Sequence, residues 1–169
     1  DWIPILLDLY RNLRHFLRRE RHEGMYEILD YDSTLELVDP NGEIAIFKRR
    51  QKVRFLQDNI IAYQDHAWGD GDILAGYECS PGVVADCYQD GDRWNILISL
   101  RETKNRGDVV EFWIERMIKV GLTEEQEWYE VEVDHWMKHL RISIVFPEKR
   151  PCRRATLSRR STGKTTLLS

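Results

Sequence analysis

The chain has 169 residues, of which 42% are hydrophobic and 32% charged, and its formal net charge is −4. This is the composition of one globular domain with an appendage, and no apolar run approaches the ~18 residues of a membrane span. Five arginines face three acids in residues 1–22 and seven Lys/Arg face Glu148 in 148–169, which leaves 23–147 at −12. An acidic body with basic ends is not a nucleic-acid-binding core.

The opening residues predict an amphipathic helix over 2–22. Trp2, Ile5, Leu6, Leu9, Leu13, Phe16 and Leu17 recur at three- and four-residue steps. Asp1 is placed to cap it, and Pro4 falls in the first turn, where proline is tolerated. Arg11, Arg14, Arg18, Arg19 and Arg21 load the end whose dipole favours cations, and Gly24 supplies a stop. The stretch "WIPILLDLY" lacks the basic-then-apolar order of a secretory signal. A start at Asp1 rather than Met leads us to expect a segment of a larger protein.

The period then becomes two. "STLELVDPNGEIAIFKRR" places Leu35 and Leu37 before a DPNG hairpin turn, with Ile44 and Ile46 after it. "QKVRFL" and "NIIAYQD" predict one or two further strands, and "GVVADCY" another after the Pro81-Gly82 corner. "QDGD" turns the chain into "RWNILISLR", with Trp94, Ile96, Ile98 and Leu100 on one face. "DVVEFWIERMIKV" fits a strand, with Val110, Phe112, Ile114, Ile118 and Val120 aligned, better than a helix. "WYEVEVDHW" alternates Tyr129, Val131 and Val133 inward against a solvated face of Glu130, Glu132 and Asp134. "HLRISIVFP" offers Leu140, Ile142, Ile144 and Phe146 to the core, and "CRRATL" a short edge.

Eight or nine short strands with turn signals between them predict a mainly β fold, an antiparallel sandwich or barrel-like body. After residue 30 there is no room for the crossover helices of a parallel α/β sheet. The expected organisation is a helix at 1–24, a β-sandwich domain at 25–157 and a basic flexible tail at 158–169. The tryptophans near turns (Trp68, Trp94, Trp128 and Trp136) are expected to plug the ends of the sandwich.

Few motifs carry chemistry. In "YQDHAWGDGD", Asp65, Asp70 and Asp72 are the oxygen ligands a hard cation would use if it bound here, with His66 beside them. The order does not match a calcium loop, and an ordinary two-glycine turn explains it. "STGKTT" has Ser158 where a phosphate-binding loop requires glycine. "RRATL" and "RRST" set arginine pairs before Thr156 and Ser161, a spacing that basophilic kinases read, on what is otherwise a solvated basic end. No G-x-S-x-G is present, and Cys79, Cys87 and Cys152 lack both zinc spacing and a disulfide framework, as expected in a reducing cytoplasmic compartment.

The reading that follows is a non-enzymatic recognition or regulatory module, of the kind used in signalling, with no cofactor. It binds protein partners through loops held by a rigid sheet. The first candidate rim is Asp65, His66, Trp68, Asp70 and Asp72; the second is Arg101, Lys104 and Arg106 in "RETKNRGD", read as a long connection. The alternatives are a metal- or carboxylate-dependent hydrolase at the 65–72 loop, and a membrane-surface scaffold acting through helix 2–22. A second copy is a further partner for that helix.

Overall fold

The computed structural model describes residues 25–168, so the helix expected at 2–22 lies outside the described residues. The strands are β1 (Tyr26–Leu37), β2 (Ile44–Phe55), β3 (Ile60–Ala67), β4 (Asp72–Ser80) and β5 (Val83–Asp90). They continue with β6 (Arg93–Lys104), β7 (Val109–Lys119), β8 (Leu140–Val145), β9 (Ala155–Arg159) and β10 (Lys164–Leu168). No helix among the described residues is long and apolar enough to cross a membrane.

Alternation drives each long strand. In β2, Ala45, Phe47, Arg49, Gln51, Val53 and Phe55 are buried, while Lys48, Lys52 and Arg54 face out. β7 repeats the pattern, with Val110, Phe112, Ile114 and Arg116 buried in sequence. The DPNG segment turns β1 into β2 as expected. The Asp39 carboxylate accepts the amides of Asn41 (2.9 Å), Glu43 (3.3 Å) and Ile44 (2.7 Å). Gly42 sits at φ +74°, and a Cβ there would lie 1.7 Å from the Leu122 carbonyl oxygen, so both backbone sign and space require glycine. Arg150 holds the same carbonyl, donating from Nη1 at 2.6 Å.

The strands form a five-stranded sheet in the order β4-β7-β2-β1-β8, a three-stranded sheet in the order β3-β6-β5, and a separate β9–β10 hairpin. The fold is therefore mainly β, and neither larger sheet closes into a barrel. It is not wholly antiparallel: β8 runs parallel to β1, with Ser33 opposite Ile142 and Leu35 opposite Ile144. The long stretch after β7 carries the chain back so that β8 enters beside β1 in the same direction. The two larger sheets share one hydrophobic core, to which Val53, Phe55, Phe112 and Ile114 come from one and Tyr63, Ile96, Ile98 and Leu100 from the other. Tyr63 stacks on Phe112 across the interface at 4.4 Å between ring centroids. A smaller cluster of Leu35, Leu37, Ala45, Phe47 and Leu122 lies further along the five-stranded sheet.

Several expectations need correction. "QKVRFL" is not a separate strand but the second half of β2, because nothing in 48–52 breaks the alternation. Residues 127–137 form no strand. Only Met137 forms a bridge to β1, opposite Ile28. The passing segment is held only at points: Ile28 N donates to Trp136 O (2.9 Å), Lys138 N to Ile28 O (2.9 Å) and Tyr31 N to His139 O (3.0 Å). Leu140, Ile142, Ile144 and Phe146 are exposed, because β8 is an outer strand with no layer over that face. Trp128 and Trp136 are exposed rather than plugs, whereas Trp68 and Trp94 are half-buried. The region from 158 onward, expected as a tail, contributes to the β9–β10 hairpin, in which Lys164 pairs with Arg159 and Leu168 with Ala155. Finally, 101–104 belongs to β6, and only 105–108 remains as a turn before β7.

Candidate binding site

The inner face of the five-stranded sheet is interrupted by polar residues exactly where its apolar rows would otherwise be continuous. Ser33 pairs with Arg49 across β1 and β2, and Tyr31 with Gln51. On the other side of β2, Phe47 pairs with Arg116 and Arg49 with Ile114, so Arg49 and Arg116 are diagonal neighbours on one face. All four polar side chains (Ser33, Arg49, Gln51, Arg116) are buried. Arg49, Gln51 and Arg116 face a cavity of about 300 Å³ between the sheets.

The three-stranded sheet answers with Asp65 and Tyr63 on β3. Arg49 Nη2 donates to Asp65 Oδ1 at 2.6 Å, and the Tyr77 hydroxyl donates to Asp65 Oδ2 at 2.8 Å. Gln51 Nε2 donates to the Tyr63 hydroxyl at 3.0 Å. Burial alone would raise the Asp65 carboxyl, but Arg49, Arg116 and the two hydrogen bonds hold it below the usual carboxylate range. Burial likewise works against the Arg49 guanidinium, yet Asp65 overrides it and keeps that group firmly charged. Burial, aided by the Asp65 charge and opposed by Arg49, pushes the phenol of Tyr63 up to about 12. Tyr26 and Tyr129 on the lining, and Tyr77 beside Asp65, are pushed up mainly by burial, so these phenols are neutral.

Arg116 has a different environment. Its guanidinium lies over the Phe47 ring, 4.3 Å from the centroid, and no hydrogen bond or ion pair reaches it among the described residues. Burial lowers its pKa, the neighbouring Arg49 lowers it further, and Asp65 only partly opposes them. The remaining walls are apolar: Leu35, Phe47, Ile73, Ile118, Leu122 and Met137. The mouth is formed by Trp68, Gly69 and Asp70 on one side and by the irregular 127–135 segment on the other. There Glu132 pairs with Arg93, and Glu130 with Arg160 at 2.9 Å. His66 is held below its usual pKa, chiefly by burial, and its Nδ1 is buried without a hydrogen bond.

The residues singled out from sequence divide cleanly. Asp65, His66, Trp68 and Asp70 all line the cavity. Asp72 does not; it is exposed, and its Oδ1 accepts the Leu74 amide at 3.3 Å. Among the described residues no group of three or more His, Cys, Asp or Glu is placed to hold a metal ion. Asp65 is engaged by Arg49 and Tyr77 inside the core, whereas Asp70 and Asp72 are exposed outside it. Arg101, Lys104 and Arg106 sit elsewhere. Ala67 pairs with Trp94 and Ile60 with Lys104, so the 105–108 turn lies at the opposite end of β6 from the 68–71 loop. Lys104 pairs with Glu102, and the Arg106 amide donates to Asp58 Oδ1 at 2.9 Å. The cysteines are free thiols, with Cys79 half-buried and Cys87 and Cys152 exposed.

Sequence reasoning missed Arg49, Gln51 and Arg116. The signal for Arg116 was present, since it falls on the face that carries Val110, Phe112, Ile114 and Ile118. An arginine in the inward register of a buried strand marks a polar interior.

No family model matches the chain, and no curated protein matches it. Among solved structures it is similar to an M1 zinc metallopeptidase (E323A mutant) from Deinococcus radiodurans bound to a Tyr-Ser-Ala substrate, with 11% identity and a TM-score of 0.40. That similarity covers 60% of this chain and 22% of the peptidase. Likeness at this level assigns neither fold family nor activity.

Proposed function

We propose that the described body is a β-sandwich-like, non-enzymatic recognition module, and that what it recognises is a small ligand held in the inter-sheet cavity. The 65–70 stretch then serves as part of the rim, and the 105–108 turn has no part in it. The observation that carries this reading is the cavity itself. Its volume of about 300 Å³ is at the lower end of small-molecule sites. Its walls combine apolar surface with a few convergent polar groups, which is how such sites fix a ligand's orientation.

The chemistry of Asp65 supports binding over catalysis. A working acid or base has a pKa near the operating pH. Asp65 is instead held charged, with one oxygen on Arg49 and the other on Tyr77.

The test uses the whole chain and a small-molecule panel read by ligand-induced thermal shift. Ile118→Trp places a large ring on the cavity wall and leaves every polar side chain of the site in the chain. Ligands that stabilise the wild-type protein should lose their effect in I118W while its β circular-dichroism spectrum is retained. Asp72→Ala, outside the lining, should leave the response unchanged. Undiminished ligand response in a folded I118W would remove the cavity from the function.

A further inference from the structure

Arg49, Asp65 and Arg116 are the buried charged side chains among the described residues. Two guanidiniums and one carboxylate leave an excess of one positive charge. Asp65 is spent on Arg49 and Tyr77, and the excess therefore resides on Arg116, which is 8% exposed and lacks any hydrogen-bond partner at Nε and Nη1. Burying an unpaired ion costs several kcal/mol, and the ring face of Phe47 offsets only part of that. At a cavity wall such a group is open to an anion arriving from outside, which would supply the missing partner.

Resting on the proposed function above, we infer that the cavity binds a small organic carboxylate, with Arg116 as the cation that anchors it. The charge balance matches a monoanion. A guanidinium also presents two parallel N–H groups to a carboxylate, a bidentate fit with directional specificity. The acidic mouth, lined by Asp70, Asp92, Glu127 and Asp134 in addition to the paired Glu130 and Glu132, opposes a dianion such as phosphate more strongly than a monoanion. Once the acid group is on Arg116, the ligand's body lies against Phe47, Leu35, Ile118 and Leu122, and Tyr129 completes the wall beside Phe47 at 6.2 Å between centroids. The ligand is thus an acid with an apolar or aromatic body of modest size.

The experiment compares three probes on the intact chain by calorimetry: 3-phenylpropionate, its neutral amide, and inorganic phosphate. Wild-type protein should bind the acid about 10- to 100-fold more tightly than the amide, the worth of one charged hydrogen-bonded contact. Phosphate should bind weakest. Arg116→Met removes the charge at similar volume. It should abolish the preference for acid over amide while raising the melting temperature of the ligand-free protein, since an uncompensated buried cation is gone. Arg116→Lys should keep the charge and retain part of the preference.

Equal binding of acid and amide would overturn the carboxylate inference and leave the cavity reading standing. Tightest binding by phosphate would overturn it as well. A ligand-free R116M that melts well below wild type would show that Arg116 is structural, and the inference would fail. Binding of none of the three probes would count against both readings.

Discussion

Asp65 holds together the polar centre of this protein, and its environment sets a stability limit in acid. Its carboxyl is held below the ordinary value of 3.8 in the folded chain. A group with a depressed folded pKa contributes fully above its unfolded value, and that contribution is lost as pH falls through the folded one. Stability of the wild-type protein should therefore be level with respect to this group near neutrality and decline below about pH 4. Asp65→Asn leaves Arg49 without its counter-charge in the core. The expected loss is about 3–5 kcal/mol at neutral pH, with a shallower acid decline in the same denaturation series. A wild-type-like midpoint for D65N would contradict the pairing. Tyr77 makes a softer contact with the same carboxylate, so Tyr77→Phe should cost about 1.5–3 kcal/mol, the range for hydrogen bonds to charged groups.

At the level of elements, the turn between β1 and β2 does more than reverse the chain. Gly42 lets the Leu122 carbonyl approach, and Arg150 donates to that carbonyl beside it. Gly42→Ala should thus destabilise by more than about 1 kcal/mol, measured by chemical denaturation. An unaffected midpoint would mean the 120–124 segment does not pack there. This turn was legible from DPNG, and so were most strands, because a run such as Val110, Phe112 and Ile114 can align only with a period of two. The alternating "WYEVEVDHW" gave no sign that this segment touches β1 only through an isolated bridge between Ile28 and Met137. The parallel entry of β8 was equally hidden, since alternation specifies a pleat and not the direction of the neighbouring strand. Half of the candidate site was legible. Asp65, His66, Trp68 and Asp70 stood out as a polar cluster, but they were assigned to a solvated loop. Arg49 and Arg116 sit among residues that look like solvent-facing charge, as in "FKRRQK". Only their parity with Phe47 and Phe112 places them inside.

Considered as a whole, the molecule is two sheets meeting over an apolar core, with a polar cavity between that core and the smaller apolar cluster. The core supplies the rigidity: Phe112 is fully buried and stacks on Tyr63 across the interface. Phe112→Ala should cost about 3–5 kcal/mol, in line with its place at the junction of the sheets, whereas Trp113→Ala on the exposed side should cost far less. The cavity carries the function proposed above, with a cation left over for an acid to complete. The most direct measurement is an amide and methyl NMR titration of the intact chain with 3-phenylpropionate. Saturable shifts should concentrate at Phe47, Arg116, Ile118 and Leu122 and be lost in R116M. Shifts confined to the 105–108 turn or to the exposed face of β8, or no saturable shift at all, would contradict the account.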